Sequence, residues 1–235
     1  MTLSDYDLGI PRFEGKAMHA GTTRRERQMR MSMTVVSVGF TFVLCCNTGR
    51  GQRLDLLHTT AQLSRPRYDL AATSVGAKAM FGGGGEQNYE VFDNVDVYDF
   101  ATKSWSLSHL ATPRMSLAAT TVGNTAIFAG GAPDYHSHES LDAVDLYNDV
   151  TAQWTTAHLS SPRNRLAATS LGDRAYISGG VVETSGGYPS VISSVIDVYD
   201  ASAGTWSTMS MPRARYAHSS VAVGGRLLFL SLIHI

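Results

Sequence analysis

An internal repeat constrains the fold of this 235-residue chain more than any other feature. The stretch LSRPRYDLAATSVGAKAMFGGG (63–84) recurs as LATPRMSLAATTVGNTAIFAGG (110–131) and as LSSPRNRLAATSLGDRAYISGG (159–180). A fourth and weaker copy reads MSMPRARYAHSSVAVGGRLLFL (209–230). Each full copy continues into a second block that ends in tryptophan, as in VDVYDFATKSW. A period near 50 residues is typical of repeat architectures such as β-propellers.

Each repeat has the pattern of four short strands. The first, LAATS, ends at a turn glycine, and an apolar run follows it and stops at a glycine pair. The segment VDVYD alternates apolar and polar residues as a half-buried strand does, and the tryptophan segment closes the unit. No part of the repeats keeps a helical period of 3.6 residues. The sequence therefore predicts an all-β propeller built from four-stranded sheets.

The arrangement of motif residues resembles the kelch repeat. In each full copy a Pro-Arg pair precedes a double glycine, and a tyrosine follows with a tryptophan seven residues after it. The resemblance covers 59–230 and implies a kelch-type β-propeller with its first strands innermost. It predicts an incomplete propeller, with full blades at 63–109, 110–158 and 159–208 and partial blades at both ends. The motif glycines and aromatics are Gly83, Gly84, Gly130, Gly131, Gly179, Gly180, Tyr98, Tyr147, Tyr199, Trp105, Trp154 and Trp206.

The first 53 residues contain no convincing repeat, and we assign the kelch repeats to 54–230. One interpretation of 1–53 is a degenerate blade or a non-native, disordered leader, which favours an intracellular, cytoplasmic protein. The other is a targeting segment within 24–46, where basic residues precede an apolar run as in a secretory signal peptide. Both cysteines of the chain lie in this leader, so no disulfide framework holds the repeats together.

The repeat pattern also fails at the other end of the chain. The glycine pair starts seven residues after the turn glycine in each full copy, but the same count from Gly224 reaches Ser231-Leu232. The segment LSLIHI (230–235) resembles the translation of a common sequencing-adapter end. We therefore expect 209–230 to be a partial blade, 231–235 to be a non-native tail, and the natural protein to continue.

The composition argues against two classes of partner. Residues 63–235 hold 11 Lys and Arg against 15 Asp and Glu and contain no basic stripe, which argues against nucleic acid. No run approaches the roughly 18 apolar residues that a membrane-spanning helix needs. A protein or peptide partner remains the simplest expectation for a rigid repeat scaffold whose loops carry the function.

Catalytic and cofactor chemistry has little support in the sequence. The glycine run 82–85 leads into a strand and not a helix, so it does not predict a phosphate loop. The segment DYHSHE (134–139) offers two histidines without a further ligand at metal spacing. The motifs GxSxG and HExxH are absent. We predict no catalytic residue, no metal and no cofactor.

The arginine after each repeat proline recurs in all four copies, which indicates a structural role. We expect these arginines to pair with the aspartates of the VDVYD-type blocks or with loop carbonyls. The arginines are Arg67, Arg114, Arg163 and Arg213, and the aspartates are Asp96, Asp145 and Asp197.

The third residue after each proline differs between the copies. By resemblance to kelch substrate adaptors, this position opens onto the channel mouth beside the connections between second and third strands. Arg165 and Arg215 would then hold an acidic peptide, since a guanidinium binds a carboxylate bidentately. Surface salt bridges are the other interpretation of both arginines. The candidate partner-binding residues are Asp69, Ser116, Arg165, Arg215, Tyr89, Tyr135, Tyr188, His136 and His138.

The sequence thus favours a non-catalytic kelch propeller that binds a protein or peptide as a scaffold or substrate adaptor. One alternative is a secreted propeller enzyme or glycan-binding protein whose catalytic residues lie in further blades. Another is a scaffold segment of a larger protein with BTB or F-box modules. A fold supports many functions, so the site must decide between these hypotheses.

Overall fold

Strands and turns, without any helix, make up the part of the chain that this computed structural model describes, namely residues 60–135, 139–183 and 190–231. No helix in this part is therefore long and apolar enough to cross a membrane. In chain order the strands are β1 (Ala71–Val75), β2 (Lys78–Gly82), β3 (Asn94–Asp99), β4 (Ser104–His109), β5 (Ala118–Val122), β6 (Thr125–Ala129), β7 (Ala143–Asn148), β8 (Gln153–His158), β9 (Ala167–Leu171), β10 (Arg174–Ser178), β11 (Val181–Val182), β12 (Val191–Ile192), β13 (Val195–Asp200), β14 (Thr205–Ser210), β15 (Ser219–Val223) and β16 (Arg226–Leu230).

These strands form three antiparallel four-stranded sheets and one further pair. The first sheet has the order β1-β2-β3-β4 and the second β5-β6-β7-β8. The third has the order β9-β10-β13-β14, with the small hairpin β11-β12 in its middle connection, and β15 pairs with β16. Adjacent sheets meet through their first strands, because β5 lies beside β1 and β9, and β9 lies beside β15. The prediction of an all-β chain of four-stranded sheets is confirmed, and the arrangement is propeller-like.

The core lies between neighbouring sheets. Met80 and Val95 of the first sheet pack in one buried cluster with Ala126 and Phe128 of the second. Trp154 packs against this cluster, and its ring lies 5.2 Å from that of its cross-strand neighbour Tyr147. Burying such apolar surface stabilises the contact between sheets by roughly 25 cal/mol per Å². Each sheet therefore depends on its neighbour for its core.

The glycine pairs mark places where two repeats approach through their backbones. Gly130 and Gly131 have φ angles of 66° and 116°, which side chains rarely tolerate. A Cβ atom at either position would collide with a carbonyl oxygen, that of Arg163 or of Met115. The amide of Gly131 donates to the carbonyl of Arg163 in the next repeat at 2.9 Å. These glycines join adjacent sheets.

Candidate functional site

Three buried arginines, which we call the arginine layer, hold each sheet to the loop that enters it. Nη2 of Arg114 forms an ion pair with Oδ2 of Asp145 at 2.6 Å and donates a hydrogen bond to the carbonyl of Phe128 at 3.1 Å. Arg67 pairs in the same way with Asp96, at 2.7 Å, and Arg163 pairs with Asp197. All three arginine side chains have no exposed surface. The ion pairs expected from the repeat are therefore present in three copies.

The aspartates of the arginine layer also fix the loop backbone. Oδ1 of Asp145 accepts a hydrogen bond from the amide of Ala111 at 3.0 Å, and the other two aspartates accept equivalent bonds. Burial lowers the pKa of Arg114 and Arg163, and the facing aspartate opposes this shift. Because an arginine pKa starts far above neutral, both guanidinium groups remain charged. This layer is structural, since its ion pairs are buried and its side chains hold the loop backbone.

The fourth repeat corrects two sequence predictions. Arg215, and not Arg213, takes the position of the arginine layer, since its carbonyl accepts from Gly180 as that of Arg163 accepts from Gly131. Arg213 is exposed. The Pro-Arg dipeptide stands two residues earlier in this copy than in the others, so counting from the proline misplaced both residues. Arg215 is therefore not the counterpart of Arg165; Ala217 is.

Asp69, Ser116 and Arg165, which we call the rim residues, lie two positions beyond the arginine layer. Their φ angles are 54°, 54° and 52°, in the left-handed region that costs a non-glycine residue about 1 kcal/mol or more. A chain of backbone bonds holds them there. The amide of Ser116 donates to the carbonyl of Asp69, and that of Arg165 to the carbonyl of Ser116, both at 2.9 Å. Ala217 continues the chain with a bond to the Arg165 carbonyl.

A cavity of about 240 Å³ opens beside the rim residues. Its wall is built from the loops that enter β1, β5 and β9 and from the connections that follow β6 and β11. These loops come from three different repeats, so the cavity exists only when the repeats are stacked. The lining residues are Asp69, Met115, Ser116, Ala132, Asp134, Tyr135, Glu139, Asn164, Arg165 and Glu183.

Asn164 is the most buried polar residue of the cavity wall, with 2% of its surface exposed. Its Nδ2 donates to Oε2 of Glu183 at 2.8 Å and to Oγ of Ser140 at 3.2 Å. Ser140 in turn accepts from the amide of Glu183 at 3.0 Å. These bonds fix the orientation of the amide, yet Oδ1 of Asn164 receives no hydrogen bond from any described residue. A desolvated acceptor without a donor is costly and points to a missing partner.

The charge around the cavity is unbalanced. Asp69, Asp134, Glu139 and Glu183 contribute carboxylates, whereas Arg165 is the single cation among the lining residues that the structure describes. Arg165 is exposed and forms no ion pair with a described carboxylate. Among the described lining residues, acidic side chains thus outnumber basic ones by four to one. This opposes the expectation that the face holds an acidic peptide.

Two exposed tyrosines stand at the mouth of the cavity. Tyr135 lines it with 55% of its surface exposed, and Tyr89 has 54% exposed. Their rings lie 5.6 Å apart, so they form one aromatic surface contributed by two adjacent repeats. Exposed aromatic side chains beside a cavity are frequent anchors for a bound protein.

The structure therefore brings together part of the predicted site. Asp69, Ser116, Arg165 and Tyr135 line one cavity, and Tyr89 adjoins it. The predicted residues His136, His138 and Tyr188 lie outside the described residues. Within the described ranges, no three His, Cys, Asp or Glu side chains are placed to hold a metal ion.

Sequence reasoning missed several residues of the cavity wall. Asn164 stands between the arginine layer and the rim, at a position that holds Tyr68 and Met115 in earlier repeats. That variation beside a recurring arginine was a usable signal. The carboxylates of Glu139 and Glu183 lie in connections of unequal length, and nothing in the repeat pattern marked them.

Comparisons with known proteins concern the fold only. Neither a scan against models of protein families nor a search of curated protein sequences gives a match. Among solved structures, that of the protein YjhT is similar, with a TM-score of 0.61 and 16% sequence identity. The similarity covers 76% of this chain and 63% of that one, so the chain spans less than two thirds of the solved protein.

Proposed function

We propose that the chain is part of a kelch-type propeller that binds a protein or peptide, without catalysis, at the cavity beside the rim residues. The observation that carries this proposal is the convergence of loops from three repeats on one cavity. Rigid sheets that present loops at one end are suited to recognition, because little order is lost on binding.

The size of the cavity supports a macromolecular partner. Sites for drug-sized ligands usually enclose about 300–1,000 Å³. A volume of about 240 Å³ lies below that range and suits one side chain of a larger partner. The tyrosine pair at the mouth, Tyr89 and Tyr135, would then cover the backbone on either side of the inserted residue.

Selection of random peptides displayed on phage, against the immobilised 235-residue chain, tests this proposal. We expect enriched sequences whose affinity falls at least tenfold for the Tyr135→Ala variant, as for an aromatic hot spot. The matched control is Val150→Ala, since Val150 is 73% exposed in the β7–β8 turn at the other end of β7. A selection that yields only binders insensitive to Tyr135→Ala would contradict the proposal.

A further inference from the structure

We infer that the cavity receives a cationic side chain, the guanidinium of arginine or the ammonium of lysine, from the bound partner. This inference rests on the proposed function and specifies the chemistry of the residue that enters. Three observations lead to it: the excess of carboxylates, the unpartnered acceptor of Asn164 and the spread of the same acidic groups.

The carboxylates of the cavity wall attract a cationic side chain. Of the described residues, four carboxylates line the cavity of about 240 Å³, against the one guanidinium of Arg165. Glu139 is half-buried and takes part in no ion pair or hydrogen bond within the described ranges. A carboxylate in a partly desolvated wall gains from a cation, and a charge-assisted bond contributes roughly twice as much as a neutral one.

The side-chain oxygen of Asn164, Oδ1, lacks a hydrogen-bond donor among the described residues. Both described bonds of its side chain are donated by Nδ2, to Glu183 and Ser140, and its buried Oδ1 accepts no hydrogen bond from the described residues. An anionic side chain brings acceptors only and would leave this oxygen unsatisfied. Guanidinium carries five N–H donors and ammonium three, so both match a wall rich in acceptors.

The spacing of the acidic groups favours an organic cation over a metal ion as the ligand of the cavity. No three of the described carboxylates and histidines are close enough to share a metal. A planar guanidinium can instead reach acceptors on opposite walls of the cavity. The dispersed arrangement therefore favours a side chain with several donors.

Arg165 opposes the incoming cation. It lies in the same cavity wall and has no carboxylate partner among the residues that the structure describes. If the partner were acidic, Arg165 would be its anchor and its loss would weaken binding. With a cationic partner, the loss of Arg165 strengthens binding. The sign of this effect separates the two chemistries.

The experiment uses four peptides, acetyl-Gly-Gly-X-Gly-Gly-amide with X as arginine, lysine, citrulline or glutamate, titrated into the ¹⁵N-labelled 235-residue chain. Citrulline has the shape of arginine without its charge. We expect the arginine and lysine peptides to bind about tenfold more tightly than the citrulline peptide. Their amide shifts should lie at the cavity residues. The glutamate peptide should bind weakest.

Two variants and one control sharpen the result. Glu139→Gln should weaken the arginine peptide several-fold, and Arg165→Gln should tighten it several-fold. Asp173→Asn removes one carboxylate from the exposed turn between β9 and β10, at the end of β9 away from the rim, and should leave the affinity unchanged. Equal affinities for arginine and citrulline, tighter binding of glutamate, or no effect of Glu139→Gln would each overturn the inference. Peptides that depend on Tyr135 but not on charge would leave the proposed function standing without this inference.

Discussion

Arg163 and Arg165 are two residues apart in one loop and have opposite surroundings. The Arg163 side chain is fully buried, donates to the carbonyls of Gly179 at 2.7 Å and Val195 at 2.9 Å, and pairs with Asp197. Arg165 is exposed, has left-handed backbone geometry and lines the cavity without an ion-pair partner among the described residues. One loop thus carries a structural cation and a free one.

This difference in surroundings explains why the arginine layer has the same residue types in three copies whereas the rim residues vary. A buried charge is tolerated only with its partner and hydrogen bonds, so the arginine and the aspartate recur together in three copies. The rim residues need only a backbone that forms the chain of hydrogen bonds, and their side chains are aspartate, serine and arginine, with alanine at the equivalent Ala217. Position in the loop, and not residue type, separates the buried, paired arginine from the exposed one.

The largest expected effect comes from breaking the buried pair. Arg163→Met leaves Asp197 buried without its cation, and we expect the free energy of unfolding to fall by about 3–5 kcal/mol. Urea unfolding followed by tryptophan fluorescence measures the loss. The double variant Arg163→Met/Asp197→Leu should recover most of the lost free energy of unfolding, because no charge is then buried without a partner. A loss below about 1 kcal/mol for the single variant would contradict the structural role of the layer.

A smaller effect is expected at a buried position of the fourth repeat. His218 takes the place of Leu70, Leu117 and Leu166, and its Nε2 lies 2.9 Å from Oγ of Ser178. Burial, assisted by the charge of Arg215, lowers the pKa of His218 from its usual 6.5. The unfolded chain therefore binds the proton more readily than the folded chain. Stability is fully present above pH 6.5 and is lost as the pH falls below it.

The comparison of urea midpoints at pH 7.5 and pH 5.5 tests the histidine prediction. His218→Leu restores the residue type of the other three repeats and should reduce the difference between the two midpoints. His109→Gln is the control, since His109 is an exposed residue beside Asp93. A pH dependence that His218→Leu leaves unchanged would show that other groups cause it.

The smallest effect is expected from Arg165→Met. An exposed side chain without an ion-pair partner contributes little, so the free energy of unfolding should change by no more than about 0.5 kcal/mol. The same urea experiment measures it beside Arg163→Met. A change as large as that of Arg163→Met would remove the distinction between the two arginines.

Much of the fold could be predicted because each repeat encodes it locally. Strand alternation, the glycine pairs and the seven-residue step from Tyr147 to Trp154 specify one sheet, and the next repeat specifies its neighbour. The pairing of Arg114 with Asp145 also follows from the repeat, since residues that recur together at fixed positions meet in every copy.

The fourth repeat was aligned wrongly with the other three because its positions were counted from the proline, Pro212. Two other distances do not change between copies. Five residues separate Trp105 from Leu110 and Trp206 from Met211, and nine residues separate Arg163 from Gly172 and Arg215 from Gly224. Both counts place Arg215 in the arginine layer. The proline belongs to a loop and can shift, whereas the tryptophan and the turn glycine lie at strand ends.

The cavity could be predicted only in part, because its chemistry comes from residues outside the repeat. Asn164, Glu139 and Glu183 meet through loops of different sheets, and the distance between those loops depends on how the sheets stack. The sequence pattern therefore did not indicate the excess of carboxylates in the cavity. It suggested an acidic partner instead, because of Arg165 and Arg215. The first of these lines the same cavity as four carboxylates, and the second takes the position of the arginine layer in the fourth repeat.

Side-chain NMR of the two arginines tests the central distinction most directly. In one ¹⁵N spectrum at pH 6.0, the Nε–H group of Arg163 should exchange slowly with water, because that nitrogen is buried. It should not shift when the arginine pentapeptide is added. The Nε–H group of Arg165 should exchange rapidly and shift with the peptide. Slow exchange at Arg165, or a peptide-induced shift at Arg163 without one at Arg165, would contradict the assignment of one arginine to structure and the other to recognition.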